Sequence, residues 1–580
     1  MSGRGAIRAF PEAQGEEVRT TTMQNDRLDQ EPNRRQFLRA AAGGAVAAAV
    51  GLPVLAACTG TQRAGAGTQA ARLPTYVPFK GPAPDLPASA AGVEAGYFAY
   101  PTSLVRSVHE PPGRGGDVTA MTVTYSPPPT PVERNPAWQE MNHRLGVNLK
   151  FAIAGINDYQ AKLSTTMASG SLPDLLYLQR GGGPTPAHLG DFVKATCADL
   201  SPYLAGDAVR EYPNLANIPT LTWKTGVFDG RIYGVSIPRP VFDWNLFVRR
   251  NLLDQAGLVQ PRDADDFTRL MKDLTRPQSG QWGIAAFSGY GIRFFQQLFR
   301  VPNAWRLEPS GRLVRDIETD ENKAAVDYVR QLLAAGVFHP DSGPSLTSTQ
   351  RKVLFVSGKA AAVGDGFTAY SGYWNQMTRS SPNVKVRVMA PFGHDGGRGV
   401  YYLGSGANQP VVMRRARPDR IRELLRVLNL VAAPFGTEEH FLMHYGVRDV
   451  DHRLDSRGSP VLTDAGMLDV TAVPWGYLAA GPGVLYNADA SDPKEYAQVV
   501  HDQEELLLST ALEDPTIGFE SPTNNERGGQ LSQTLTDRLN DVMSGRAPLS
   551  AYDDAVQEWR SGGGEQIRKE LQQALARDRR

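Results

Sequence analysis

"MTVTYSPPPTPVERNPAWQEMNHRLGVNLKFAI", residues 121–153, carries the pattern on which the fold class turns. Met121, Val123 and Tyr125 alternate on one face, the period of a half-buried strand. After a Pro-rich loop, Asn135 is placed to cap a helix, Pro136 suits its first turn and Gly146 ends it. Trp138, Met141 and Leu145 share one face of that helix. Val147, Leu149, Phe151 and Ile153 then alternate as a second strand. Strand, helix and strand in so short a span predict two parallel strands joined by a helical crossover.

The rhythm continues outward. "NDYQAKLSTTMASG" reads as a helix with Asp158 as its cap and Gly170 as its stop, and "PDLLYL" as a third strand, Asp174–Leu178. "GVFDGRIYGVSIP" sets Asp229-Gly230 between two β-rich runs, the signature of a two-residue hairpin turn. "FDWNLFVRRNLLDQAGL" opens a second series of strands and helices, in which "KVRVMAPFG" is a strand. "RPDRIRELLRVLNLVAAPFG" is the best helix, with Pro418 at its start and Ile421, Leu424, Leu425 and Leu428 as its stripe. No repeat of solenoid period is present. The class is α/β, and in such sheets ligands bind beyond the carboxyl ends of the strands.

Composition narrows the functions. The 580 residues carry 61 basic and 61 acidic side chains, so no basic excess exists to neutralise nucleic-acid phosphates. Near the start, "RRQFLRAAAGGAVAAAVGLPVLAAC" (Arg34–Cys58) is too short and too weakly apolar for a membrane span. Its charged, apolar and small-residue parts follow the order of an export signal. Arg34 and Arg35 before Phe37-Leu38-Arg39 resemble the twin-arginine signal, and Leu55-Ala56-Ala57-Cys58 resembles a lipobox. These resemblances imply a signal peptide over 1–57, diacylglyceryl attachment at Cys58 and residence on the outer face of the cytoplasmic membrane. The long polar run before Asn33 leaves Met23 as an alternative start. Cys197, the other of two cysteines, then has no partner, so no internal disulfide is expected. Residues 58–117, dense in Gly, Ala and Pro, read as a flexible tether, with the aromatics of "YFAYPTSLV" (Tyr97–Val105) available to dock.

Five segments occur together in a family-like order: "SGSLPDLLYL", "FDGRIYGVSIPRP", "LFVRRNLLDQAGL", "FVSGKAAAVGDG" and "AAPFGTEEHFLMHYGV". Over about Val118–Trp559 the chain resembles the extracellular solute-binding proteins, family 1, of ABC importers. Its Pro-Phe-Gly-Thr-Glu-Glu run resembles the branch associated with oligosaccharides, aldouronates included. The resemblance implies a two-lobe, periplasmic-binding-protein-like fold (type II), hinged around a cleft. It also implies a carbohydrate ligand, an ABC permease as partner, and a monomer without cofactor. Lobe 1 is placed at 118–238 and 394–490, lobe 2 at 239–393 and 491–580.

A sugar needs an aromatic face for its ring and polar groups for its hydroxyls. Strand-end loops offer Tyr125 and Glu133 after the first strand, and Gln179 and Arg180 after "PDLLYL". The crossover offers Arg239, Asp243 and Trp244. "SGYGIRFF" offers Tyr290, "GDGFTAYSGYW" offers Asp365, Phe367 and Trp374, and "VPWGYL" offers Trp475 within an apparent insertion at 447–510 of unassigned role. For each aromatic the competing reading is burial in a lobe core. Arg180 and Arg239 have surface ion pairing as theirs; if both face the cleft, a uronate suits them, because Arg binds carboxylates bidentately.

Catalytic and metal motifs are weaker. His440 and His444 have zinc-compatible spacing, yet Phe441 stands where a zinc protease carries its Glu base. Neither "GSGAN" nor "GYGIRFF" fits a nucleophile elbow or a nucleotide fingerprint. The rival functions are a lipid-anchored hydrolase or lyase and a peptide-binding surface lipoprotein.

Overall fold

The protein was analysed as a computed structural model, which describes residues 71–578 except 180–185, 187, 256, 258, 259 and 381–384. Arg34, Arg35, Cys58 and the whole expected signal lie outside the described residues.

The opening stretch folds as its pattern predicts. Strand Asp117–Thr124 runs parallel to Asn148–Gly155, Asp117 opposite Asn148 through to Thr124 opposite Gly155. Between them helix Pro136–Leu145 starts at Asn135, whose side chain accepts from the Trp138 amide at 2.8 Å, and ends at Gly146 with φ 66°. The Asn135 amide also donates to the Asp469 carbonyl at 2.7 Å, tying this cap to a distant segment. The next helix, Ile156–Ser169, begins at Gly155 rather than at the expected Asp158, which becomes an acid of the first turn. There its charge still favours the positive end of the helix dipole.

Five strands make the first sheet in the order Asn148–Gly155, Asp117–Thr124, Leu175–Tyr177, Val411–Met413, Gly234–Val235. The first three are parallel; Val411–Met413 is antiparallel to both of its neighbours. Its core joins residues 118–237 to 411–479, with helix Pro418–Val431 packed in it. At Asp229-Gly230 the chain turns with φ 49° and 73°, the left-handed pair that a tight hairpin turn requires.

A second sheet has the order Val386–Val388, Asn245–Arg249, Ala360–Asp365, Trp282–Ile284. Leu246 and Val248 face one core and Phe247 the other, so apolar side chains cover both faces. Tyr401 and Leu403 still pack in this second body, and Leu485 and Ala490 already belong to it. The chain therefore returns to the first body after Leu403, later than 394, and leaves it before Leu485, earlier than 490. The crossing segments are themselves strand-like. Pro238 pairs with Ala407 and Phe242 with Leu403, antiparallel, while Val484–Leu485 pairs with Ala95–Gly96.

The last pairing corrects the tether reading for the described part of 58–117. Pro74 bridges Gly206, the Val77 amide donates to the Ala216 carbonyl at 2.8 Å, and Val105 bridges Thr437. Tyr100 is buried, with the rings of Phe435, Phe441, Tyr445 and Tyr486 at 4.9–5.4 Å. Buried Glu439 accepts from the Ser107 amide and hydroxyl and from the Val108 amide. Aromatic anchoring and a hydrogen-bonded buried carboxylate hold this strap, despite its linker-like composition.

Candidate functional site

In each body the carboxyl ends of the parallel strands carry a polar and aromatic cluster. On the first, Tyr125 follows strand Asp117–Thr124 and is 61% exposed. Tyr177 ends strand Leu175–Tyr177, and its hydroxyl donates to Asn408 Oδ1 at 2.9 Å. The insertion supplies Tyr477, whose ring centroid lies 5.7 Å from that of Tyr125 and 5.8 Å from that of Tyr177. Arg239, half-buried at the crossing, sits over the Tyr477 ring at 5.6 Å. Among the described residues Arg239 makes no ion pair within 4 Å, although Glu94 contributes a field across it.

On the second body Asp243 and Trp244 lead into strand Asn245–Arg249. The Arg293 guanidinium lies 5.1 Å from the Trp244 ring centre, and its Nη1 is 3.5 Å from Asp316 Oδ2. Asp365, the last residue of strand Ala360–Asp365, accepts from the Tyr373 hydroxyl at 2.7 Å and lies 3.5 Å from Lys352 Nζ. Burial, helped by the Asp365 charge, pushes the Asp243 carboxyl up to about 6, against the pull of Arg293. One side thus offers ring faces and a guanidinium hydrogen-bonded to the Tyr477 hydroxyl; the other offers carboxylates, paired cations and an indole. Ring faces stack on sugars while charged groups hydrogen-bond hydroxyls and carboxylates.

Of the residues picked from the sequence, Tyr125, Arg239, Asp243, Trp244 and Asp365 occupy these clusters. Gln179 is buried at the strand mouth, its carbonyl accepting from Gln160 Nε2 at 3.1 Å. Glu133 is exposed elsewhere, beside Gly115, Gln139 and Asn148 at the amino end of the strands. Phe367, Trp374 and Trp475 are corrected to core positions. Phe367 packs on Phe242 and Tyr370, Trp374 on Tyr370 and Tyr496, and Trp475 on Trp138 and Phe151. Tyr290 starts helix Tyr290–Leu298, and its side chain lies outside the described residues, as does all of Arg180. Sequence reasoning missed Tyr177, Tyr477, Arg293, Lys352 and Tyr373. Tyr477 and Arg293 each lie within a quoted motif, two and three residues from the residue chosen there.

Two α/β lobes, joined by paired crossing strands and each carrying such a cluster, make a two-lobe fold of the periplasmic-binding-protein type. Residues 130–415 match the bacterial extracellular solute-binding proteins, and residues 31–51 match the twin-arginine translocation pathway signal sequence. The polygalacturonan/rhamnogalacturonan-binding protein YtcQ of Bacillus subtilis (strain 168) is 24% identical over 433 residues, 71% of this chain and 82% of that one. Lipoprotein LipO of the same organism is 21% identical over 474 residues, 77% of this chain and 89% of that one. The fold is shared with alginate-binding protein AlgQ2, at TM-score 0.58 and 13% identity over 81% of this chain and 99% of that one. It is also shared with the kestose complex of the S. pneumoniae ABC-transporter substrate-binding protein FusA, at TM-score 0.59 and 14% identity over 80% and 99%. The twin-arginine match and the extracellular solute-binding match together indicate an exported protein.

Proposed function

We propose that this protein captures an oligosaccharide by lobe closure and hands it unaltered to an ABC permease, from a lipid anchor at Cys58. The observation that carries the reading is the cluster of Tyr125, Tyr177, Tyr477 and Arg239 on one body and of Asp243, Trp244, Arg293 and Asp365 on the other. Rings and hydroxyl-binding charges on two separate bodies suit a ligand enclosed between them. A uronate-bearing chain suits the site best, because Arg239 has no carboxylate of its own within 4 Å among the described residues. The names of the relatives, polygalacturonan/rhamnogalacturonan-binding and alginate-binding, agree with that chemistry.

The test is a thermal-shift screen of the mature protein against oligogalacturonides, alginate oligomers and neutral fructans. A binder is stabilised saturably, by about 2.7 kcal/mol at a hundredfold excess over Kd. The raised Asp243 beside Asp365 is the one feature that favours a hydrolase. Product appearing in the same samples decides for that reading. Labelling with radioactive palmitate, lost in a Cys58→Ala variant, tests the anchor.

A further inference from the structure

A basic surface lies at the end of the first lobe away from its strand-end cluster. The chain as a whole has no net charge, yet residues 413–426, "MRRARPDRIRELLR", hold six arginines against two acids. Strand Val411–Met413 is antiparallel to Leu175–Tyr177, with Met413 opposite Leu175 and the Arg414 amide on the Asp174 carbonyl at 3.1 Å. The arginines therefore emerge at the amino ends of the parallel strands, whereas Tyr125 and Tyr177 stand at the carboxyl ends. The eight residues of Asp117–Thr124, about 26 Å of strand, separate the two.

Neighbouring backbone and rings hold the guanidinium groups in place. Arg415 donates to the Cys197 and Lys194 carbonyls, Arg422 covers the Tyr203 ring at 5.3 Å, and Arg426 donates to the Pro112 carbonyl at 2.9 Å. The nearby acids are few. Buried Asp174 holds Arg414 and Arg420, and Glu423 holds Arg420; exposed Asp419 lies 3.9 Å from Arg422. Among the described residues, exposed Arg114, Arg415, Arg417 and Arg426 make no ion pair within 4 Å. The strap enters the fold beside this surface: Pro74 bridges Gly206, three residues past the Tyr203 that Arg422 covers, and exposed Arg72 lies against Gly206. Thirteen steps of chain separate Ala71 from Cys58, about 45 Å at full extension.

We propose that this arginine surface docks on anionic phospholipid headgroups, so that the protein rests with the amino-end pole of its first lobe on the membrane and the strand-end cluster turned away. Planar guanidinium forks suit phosphate oxygens, and their attraction fades within a Debye length, about 8 Å at physiological salt. The charge pattern stands apart from the capture reading; only the tether argument rests on the anchor proposed at Cys58.

The experiment is co-sedimentation of the mature protein, carrying Cys58→Ala so that no acyl chain is attached, with vesicles of phosphatidylcholine alone or with about 30% phosphatidylglycerol. Binding is expected to need the anionic lipid and to be lost at about 0.5 M salt. Arg114→Gln and Arg417→Gln are each expected to weaken binding about fivefold, and the two with Arg422→Gln on the order of a hundredfold. A control triple, Arg312→Gln, Arg398→Gln and Lys569→Gln, removes the same charge from exposed positions of the second lobe and is expected to bind like wild type. Melting curves confirm that each variant folds. Absence of binding to the anionic vesicles, binding indifferent to salt, or equal loss in both triples overturns the docking surface. Binding to inorganic polyphosphate without binding to vesicles also overturns it, in favour of a soluble polyanion. None of these outcomes touches the capture reading, which titration of the same proteins with oligosaccharide tests separately.

Discussion

On the proposed reading, Arg239 is the residue on which ligand class depends. A guanidinium over the Tyr477 ring, hydrogen-bonded to that tyrosine and near Glu94, makes no ion pair within 4 Å among the described residues. Replacing Arg239 with Gln should cost a uronate ligand about 1.5–3 kcal/mol, roughly ten- to a hundredfold in Kd, and a neutral one much less. Calorimetry on matched acidic and neutral oligomers checks this. Asp243 makes a pH prediction. Its carboxyl is raised from 3.8 to about 6, so the folded state holds the proton more tightly than the unfolded state. Its contribution is fully present below about pH 4 and is lost as pH rises through 6, a change of up to about 3 kcal/mol. Asp243→Asn should flatten that slope and melt higher than wild type at pH 7, as melting curves at several pH values will show. At this scale the sequence was only half legible. Trp475 and Tyr477 share one short 3₁₀ turn, yet one ring faces Trp138 and Phe151 and the other faces Tyr125 and Tyr177. Those neighbours come from 300 or more positions away in the chain, so no local pattern separates core from cleft.

Among elements, the strap over residues 72–116 departs most from expectation. Its composition is that of a linker, and its order comes from partners that composition does not encode. Glu439 is the chief of these, accepting from two backbone amides and a hydroxyl of the strap while 2% exposed. Glu439→Ala leaves those donors buried without an acceptor and should destabilise the protein by about 3 kcal/mol. Denaturant titration measures the loss, and proteolysis should then begin near Ser107. Helices were far more legible, because caps and stops are local. Asn135, Pro136 and Gly146 each do what their chemistry suggests. Asp158 missed its place because Gly155 begins the helix without a side-chain cap, three residues early for the acid.

For the whole molecule, strand and helix alternation disclosed the α/β class, the family resemblance implied two lobes, and the first passage near Arg239 was legible while the later ones were not. The passages are paired strands, and pairing partners far apart in sequence leave no local mark. Near them two carboxyls meet: the Glu94 amide donates to Glu504 Oε2 at 2.8 Å, and their side chains share a hydrogen bond. Burial is the main cause that pushes Glu94 up to about 7 and Glu504 up to about 9, with Arg239 opposing at Glu94. Tyr496, Tyr401 and Asp243 are the other ionisable groups in this neighbourhood. Both acids are raised above their unfolded value of 4.5, so their contribution is whole below that value and disappears as pH climbs through 7 to 9. Melting temperature should fall over that range by several degrees, and Glu504→Gln should remove most of the fall. Differential scanning calorimetry in matched buffers makes the comparison.

The antiparallel pair Pro238–Phe242 and Leu403–Ala407 has a mechanical consequence. Cross-linked by Gly404 N–H to the Val241 carbonyl at 2.7 Å and by Arg239 N–H to the Gly406 carbonyl at 3.1 Å, it is a ribbon and not two loose strings. A ribbon flexes readily across its width and resists shear and torsion. Opening and shutting should therefore follow a single arc. A guest seated askew along that arc would leave the jaws ajar, and whatever waits at the membrane could gauge cargo from the gape alone.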